Sequence, residues 1–89
     1  MIKHNKYFEG NVQSLGFSDH GDDMTVGVIV PGDYDFGVAS RKESMKVITG
    51  VLTINGKSYF PEDEVCIIPA GEKILISASS VSSYLCSYN

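Results

Sequence analysis

Apolar and polar residues alternate along most of this chain, in short runs that end at turn-forming residues. Alternation with a period of two is typical of half-buried β-strands, and "MTVGVIV" accordingly places Val26, Val28 and Val30 on one strand face. Asn55-Gly56 predicts a tight hairpin, because both residues tolerate positive φ. No window shows the period of an amphipathic helix. The pattern therefore predicts about eight or nine strands in an all-β sandwich or barrel, and a jelly roll closes its edges at this size.

The strands follow one another without a linker, a repeat or a low-complexity segment. We therefore expect residues 1–89 to form one domain, with a frayed start over residues 1–8. A chain of 89 residues buries only a modest core. Apolar residues such as Ile48, Leu75 and Leu85 would then lie on strand faces that need cover, so we expect a homodimer.

The charge balance excludes two classes of partner. The net charge is −4 and the pI is near 4.9, whereas nucleic acids and anionic membranes attract basic faces. The N-terminal residues lack the apolar segment of a secretory signal, and no apolar run approaches the length of a membrane span. We predict no nucleic-acid partner, no membrane partner and a cytoplasmic location.

Cys66 and Cys86 both lie within apolar, strand-like runs. Two buried free thiols are the expectation for a cytoplasmic protein, and a single structural disulfide is the alternative. The cysteines lack a C-x-x-C spacing, and neither His4 nor His20 has a partner at ligand spacing. The sequence therefore carries no zinc signature.

Two spacings resemble the motifs of cupin barrels. Glu43 is followed by six residues and then Gly50, as in the E-x6-G part of the first cupin motif. Asp63 is followed by five residues and then Pro69-Ala70-Gly71, which resembles the second motif, although glycine is usual at the position of Asp63. The two spacings in this order favour a cupin-type jelly-roll barrel.

The cupin metal-ligand positions are mostly apolar in this chain. Cupins hold a metal with two histidines before the glutamate and one after the second motif, and the resemblance places Phe36, Val38 and Ile74 at these three positions. These side chains cannot coordinate a metal, so we expect none to be bound. A metal-dependent oxygenase or isomerase is disfavoured for the same reason.

Four blocks of the sequence carry a closer resemblance. In order along the chain they are "VQSLGFS", "TVGVIVPGDYDF", "MKVITGVL" and "SYLCSY". Together they resemble the pyrimidine/purine nucleoside phosphorylases, a family of small cupins, over most of the chain from Ser14 to Tyr88. The chain departs from the family pattern in a shorter hairpin around Asn55-Gly56 and in Asp63, where glycine is frequent. These departures put the rim of a pocket in question more than the barrel.

The resemblance implies a broad-specificity phosphorylase, which is a pentosyltransferase. Such an enzyme converts purine and pyrimidine nucleosides, with inorganic phosphate as co-substrate and no cofactor, into free base and pentose 1-phosphate. Nucleosides and phosphate would then be its small-molecule partners. The alternative is a non-catalytic, metal-free cupin that binds a small sugar-like or nucleotide-like ligand, or a dimeric scaffold.

Glu43 is the candidate catalytic residue. If it points into the barrel as the cupin glutamate does, alternation places Met45, Val47 and Thr49 on the same face. A carboxyl beside apolar side chains would have a raised pKa, and could protonate a departing base or accept hydrogen bonds from ribose hydroxyls. The alternative is a solvated glutamate paired with a neighbouring cation in "SRKES".

Arg41 and Thr49 are the candidate phosphate-binding residues. Arg41 is the only arginine of the chain, and its planar fork suits bidentate binding of phosphate. Thr49 would offer a hydroxyl, as Ser44 could, and Lys46 and Lys73 are weaker cationic candidates. The alternative for Arg41 is ordinary surface charge, and for the hydroxyls cross-strand or solvent hydrogen bonds.

The candidate base- and ribose-binding residues are Tyr34, Phe36, Met45 and Tyr84. Tyr34 and Phe36 share a strand face, as do Tyr84 and Tyr88. Aromatic rings at this spacing can stack a nucleobase through its π-surface, which tolerates many bases. Packing in the core or at a dimer interface is the alternative, and for Tyr88 it is the favoured one.

Overall fold

The computed structural model describes residues 1–88, which contain ten β-strands and one turn of 3-10 helix at Phe8–Gly10. The strands are β1 (Lys3–Tyr7), β2 (Val12–Asp19), β3 (Asp22–Ile29), β4 (Gly32–Val38), β5 (Glu43–Thr49), β6 (Leu52–Ile54), β7 (Lys57–Tyr59), β8 (Cys66–Ile68), β9 (Lys73–Ala78) and β10 (Ser82–Tyr88).

The strands form two antiparallel sheets. The larger sheet has the order β1-β2-β3-β10-β5-β8, and the smaller has the order β4-β9-β6-β7. The all-β prediction is confirmed. The predicted hairpin is also confirmed, because Asn55 and Gly56 join β6 to β7 with φ values of 49° and 87°. In residues 1–88 no helix is long and apolar enough to cross a membrane.

The expectation of a frayed start over residues 1–8 is wrong for the segment that forms β1. This strand pairs with β2 along its whole length, from Lys3 opposite Gly16 to Tyr7 opposite Val12. Its sequence, KHNKY, is largely exposed and shows no apolar alternation. The segment is ordered because its backbone groups pair with the edge of β2, and such pairing leaves no hydrophobic pattern in the sequence.

The core lies between the two sheets and consists of their inward side chains. Fully buried members come from both sheets, including Val12, Ile29, Leu52, Ile68 and Ile76. Both cysteines are buried and free, as predicted. The outward faces remain partly apolar, since Ile48 and Leu75 are exposed, whereas Leu85 is half-buried.

A β-bulge changes the faces of the central strand β5. Met45 and Val47 are buried as alternation predicts, and Val47 pairs with Tyr84 of β10. The next pair along the ladder joins Thr49 to Ser83, so Ile48 is the additional residue of the bulge. Thr49 is therefore turned to the exposed side, and its predicted place beside Glu43 is wrong.

Candidate functional site

A cavity of about 450 Å³ lies on the inward side of the larger sheet. We call it the Glu43 cavity, and it is lined by Phe8, Phe36, Glu43, Met45, Tyr84 and Tyr88, among others. Four of the predicted site residues thus lie together: Phe36, Glu43, Met45 and Tyr84. Its volume falls within the roughly 300–1,000 Å³ that is usual for small-molecule sites.

Glu43 begins β5, where it pairs with Tyr88 of β10 on one side and with Ile68 of β8 on the other. The carboxyl is half-buried, and this burial raises its pKa. A hydrogen bond from the Cys86 thiol, with Sγ 3.5 Å from Oε1, and the charge of Arg41 act in the opposite direction without cancelling the effect. Glu43 therefore holds a proton more readily than a solvated glutamate, which suits a general acid.

The apolar cupin positions surround this carboxyl. Phe36, Val38 and Ile74 line the same cavity as Glu43, as the motif spacing predicts. An aromatic ring and two branched aliphatic chains offer no lone pair to a metal. Within residues 1–88, no group of three metal-ligating side chains comes together. Phe36 and Ile74 give this part of the cavity an apolar lining, whereas the Val38 side chain is largely exposed.

Tyr84 forms part of the cavity wall and is buried. It pairs with Gly27 of β3, and a Cβ placed on Gly27 would lie 2.5 Å from the Tyr84 hydroxyl and ring. The ring can occupy this position only because Gly27 has no side chain. Burial raises the pKa of Tyr84 to about 12, so its hydroxyl stays protonated at neutral pH.

Arg41 is not part of the cavity lining, but it lies beside Tyr88, which is. Its Nη1 lies 3.0 Å from Oδ2 of Asp23, and its Nη2 donates a hydrogen bond of 2.8 Å to the Tyr88 carbonyl. The guanidinium carbon is 5.7 Å from the centroid of the Tyr88 ring. Arg41 thus pairs with Asp23, whose pKa it lowers, and the alternative of an ion pair between Arg41 and Glu43 does not occur.

The structure does not bring Tyr34 or Thr49 into the cavity. Tyr34 is buried in the core, where its hydroxyl donates a hydrogen bond of 2.7 Å to the Val30 carbonyl. Thr49 lies beyond the bulge on the exposed side, where its Oγ1 is 2.6 Å from Oγ of Ser83. Both hydroxyl groups therefore form hydrogen bonds with residues that do not line the Glu43 cavity.

Phe8 and Tyr88 line the cavity but were absent from the sequence-predicted site. Phe8 lies in the segment expected to fray, and its ring centroid is 5.0 Å from that of Tyr34 and 5.3 Å from that of Phe36. Tyr88 was assigned to packing, although its spacing of two from Cys86 and four from Tyr84 places all three on one face. The only sequence signal at Phe8 was the nearby Gly10, which indicates a turn.

A second depression, the outer groove, lies on the opposite side of the larger sheet. It has about 460 Å³ and is lined mainly by Leu15, Val26, Val28 and Val30, with His4 and Gln13 hydrogen-bonded to each other at 2.9 Å. Its lining contains no carboxylate, lysine or arginine. The outer groove therefore lacks the groups for acid–base chemistry or for binding an anion.

Comparison with known sequences gives a consistent family. The family model described as pyrimidine/purine nucleoside phosphorylase matches residues 2–88. A protein of that name from Vibrio vulnificus strain YJ016 is 40% identical over 96 aligned positions, which cover 99% of each chain. Another from Cellvibrio japonicus is 38% identical over 93 positions, again covering 99% of each.

Solved structures share the fold. A protein of unknown function from Vibrio parahaemolyticus superimposes with a TM-score of 0.90 and 36% identity, covering 100% of this chain and 99% of the other. A cupin-2 domain protein from Rhodospirillum rubrum has a TM-score of 0.73 at 15% identity, covering 99% of this chain and 69% of the other. The second likeness concerns the fold alone and identifies it as cupin-like.

Proposed function

Because this chain belongs to the pyrimidine/purine nucleoside phosphorylase family, we propose that it catalyses the phosphorolysis of purine and pyrimidine nucleosides. In this reaction the bond between C1′ of the pentose and the base nitrogen breaks, and a bond between C1′ and a phosphate oxygen forms. The products are free base and pentose 1-phosphate, and inorganic phosphate is the only co-substrate. The two sheets would form the walls of a cupin-type jelly roll around the site.

The observation that carries the proposal is the environment of Glu43. The carboxyl is half-buried in a cavity of about 450 Å³, has a raised pKa and receives a hydrogen bond only from a neutral thiol. A departing nucleobase needs a proton or a strong hydrogen bond, and a protonated carboxyl can supply it. The pKa values of Asp23 and Asp35 are instead lowered, by hydrogen bonds that stabilise their carboxylates.

The proposed step starts with Glu43 protonated and the base of the nucleoside within its reach. Glu43 gives its proton to the base as the C1′–N bond breaks, and the resulting carboxylate stabilises the positive charge that develops on the sugar. Hydrogen phosphate then attacks C1′, and its proton returns to Glu43. The Tyr84 hydroxyl, which stays neutral, can donate to a sugar oxygen in the same cavity.

Arg41 is the proposed phosphate-binding residue. Its guanidinium packs beside Tyr88, a residue of the cavity lining, and is held by Asp23 and by the Tyr88 carbonyl. The side chains of Arg41 and Asp23 are both exposed to solvent, so an incoming phosphate can replace Asp23 at the guanidinium fork. The charge of the bound phosphate would then be compensated locally, in a protein whose net charge is −4.

The test is release of free base from uridine and from inosine, with and without phosphate. Phosphorolysis requires that release depends on phosphate and yields pentose 1-phosphate. Replacing Arg41→Ala removes charge-assisted hydrogen bonds of about 1.5–3 kcal/mol, so the KM for phosphate should rise roughly ten- to a hundredfold. Lys42→Ala, which changes the adjacent exposed cation, is the matched control.

Three other results would redirect the assignment. Base release that is independent of phosphate would indicate a hydrolase. Ligand binding without any base release would support the non-catalytic cupin. An equal rise of the phosphate KM in both variants would mean that general surface charge, and not the guanidinium of Arg41, attracts phosphate.

A further inference from the structure

The Phe8–Gly10 turn has an unusual backbone conformation. Phe8, Glu9 and Gly10 have φ values of 52°, 58° and 93°, so three consecutive residues adopt left-handed conformations. Glycine does so freely, but for an aromatic residue this conformation is strained and persists only where surrounding contacts enforce it. Strained residues of this kind are concentrated at ligand sites, and this one lies at the Glu43 cavity.

Local hydrogen bonds hold the turn in place. The Asn11 amide donates to the Phe8 carbonyl at 3.1 Å, and the Gln13 side-chain amide donates to the Gly10 carbonyl at 3.0 Å. The Val30 amide then donates to the Asn11 carbonyl at 3.1 Å, which ties the turn to the larger sheet. The conformation of Phe8 is therefore fixed before any ligand arrives.

The turn contributes an aromatic surface to the lining of the cavity. The Phe8 ring packs edge-on against Phe36, with an interplanar angle of 76°, and is tilted by 59° against Tyr34. Although it touches two aromatic neighbours, Phe8 remains 40% exposed, whereas Tyr84 deeper in the same cavity is 6% exposed. Part of the Phe8 ring is thus uncovered beside the cavity.

The cavity lining also contains polar groups, which suit a different part of a nucleoside. Glu43, Tyr84 and the buried Ser14 offer donors and acceptors, which the hydroxyls of a sugar require. Phe8 and Phe36 offer neither, and their rings match the faces of a nucleobase. The cavity lining therefore combines aromatic rings with polar groups.

We propose that Phe8, supported by Phe36, is the stacking surface for the base of the bound nucleoside. The inference rests on the proposed function, since it assigns the base-binding part of the same site. A phenyl ring contacts only the π-surface and does not read the hydrogen-bonding edges, so purines and pyrimidines bind alike. Breadth of base specificity then follows from a residue that the sequence pattern did not reveal.

The chain has no tryptophan, which permits a direct test in the absence of catalysis. In a Phe8→Trp variant the single indole lies at the proposed surface, and stacking should quench its fluorescence on addition of uracil or hypoxanthine. Ribose 5-phosphate, which has no aromatic ring, should leave the emission unchanged. The matched control is Phe60→Trp, an exposed position that does not line the cavity. Equal quenching in both variants, or none in the first, would overturn the proposal.

Steady-state kinetics provide a second test of the role of Phe8. Phe8→Leu keeps apolar cover but removes the π-surface, and should raise the KM for uridine and for inosine about tenfold, while kcat and the phosphate KM stay near the parent values. Phe8→Tyr should restore the parent KM. A Phe8→Leu variant with unchanged nucleoside KM, or with a lowered kcat alone, would show that Phe8 does not bind the base. The fluorescence result stands whether or not the protein is a phosphorylase, so the two proposals can fail separately.

Discussion

The Glu43 cavity and the outer groove occupy the two sides of the same six-stranded sheet and have almost equal volumes, about 450 and 460 Å³. They differ in their linings. One contains a carboxyl with a raised pKa and several tyrosines, and the other is mainly apolar and has no carboxylate, lysine or arginine. Size therefore does not distinguish the two depressions, whereas the presence of a titratable group withdrawn from water does.

Both depressions are built from the same strands. In β2 and β3, inward residues such as Ser14 and Ile29 line the Glu43 cavity, and the residues next to them, Leu15 and Val28, line the outer groove. In most antiparallel sheets the outward positions of such strands are polar. Here they are apolar and exposed, which is typical of a surface that another molecule covers.

Substitutions on the two sides of the larger sheet should differ most in their effect on catalysis. Glu43→Gln keeps the shape of the side chain but removes its proton, so kcat for phosphorolysis of uridine should fall by roughly 10²-fold or more. Val28→Thr, a change of similar size in the outer groove, should leave kcat at the parent value. A Glu43→Gln enzyme with parental kcat would remove the chemical distinction between the two sides.

Gly27 lines the outer groove and packs directly against Tyr84 of the Glu43 cavity, so its substitution should affect the stability of the fold. In Gly27→Ala the added methyl would meet the Tyr84 ring at 2.5 Å, so the ring or the strand must move at a cost of about 1–3 kcal/mol. Urea denaturation would measure this loss. Gly16→Ala is the matched control on the same sheet, because its nearest contact would be an ordinary 3.5 Å. Equal stability of the two variants would mean that Tyr84 does not depend on Gly27.

The raised pKa of Glu43 predicts a dependence of stability on pH. A carboxyl whose pKa is higher in the folded than in the unfolded state contributes stability that is fully present below the unfolded pKa and is lost as pH rises through the folded pKa. Glutamine does not titrate. The Tm of Glu43→Gln should therefore rise relative to that of the parent as the pH increases above about 4, the ordinary pKa of glutamate in an unfolded chain.

Glu64→Gln controls for the removal of one negative charge from an acidic protein, since Glu64 is exposed and lies outside the cavity. If the Tm of both glutamine variants rises by the same amount relative to the parent over this pH range, the change in net charge explains the increase. Burial of the Glu43 carboxyl would then have no part in it.

Substitutions in the outer groove should have the smallest effect on catalysis. We propose that a second copy of the chain covers this groove. Val28 is 48% exposed there, and Val28→Glu would place a charge in the interface, raising the Kd for dimerisation at least about a hundredfold. Light scattering at micromolar concentration would show a dimer for the parent and a monomer for the variant, with kcat little changed. Leu75→Glu, on the outward face of the smaller sheet, should remain dimeric. A monomeric parent would contradict the proposal.

Signals in the sequence were sufficient for the strands and for the centre of the site. The period-two alternation placed Met45 and Val47 in the core, and Asn55-Gly56 placed one hairpin. The resemblance to the cupin motifs placed Glu43 beside Phe36 and Ile74, which lie on three different strands, so the family pattern supplied this grouping and alternation within a strand did not.

Features that depend on pairing between distant segments could not be predicted in this way. The bulge that turns Thr49 outward arises from the register of β5 against β10, which a single strand does not encode. The pairing of Arg41 with Asp23 joins residues 18 positions apart. Phe8 was missed because β1 is held by backbone pairing, and its polar sequence resembles a disordered end.

The register around Met45 has a consequence for redox chemistry. Cys66 of β8 and Cys86 of β10 pair with Met45 from opposite sides of β5, so two strand spacings, about 10 Å, separate their backbones. A disulfide spans no more than about 7 Å between Cα atoms. Burial raises the pKa of Cys86 to about 12, which leaves about one thiolate in 10⁵ molecules at pH 7. Cys86 therefore has neither Cys66 within disulfide distance nor an appreciable thiolate fraction. Its thiol, which donates to Glu43, should persist in aerated buffer without added reductant.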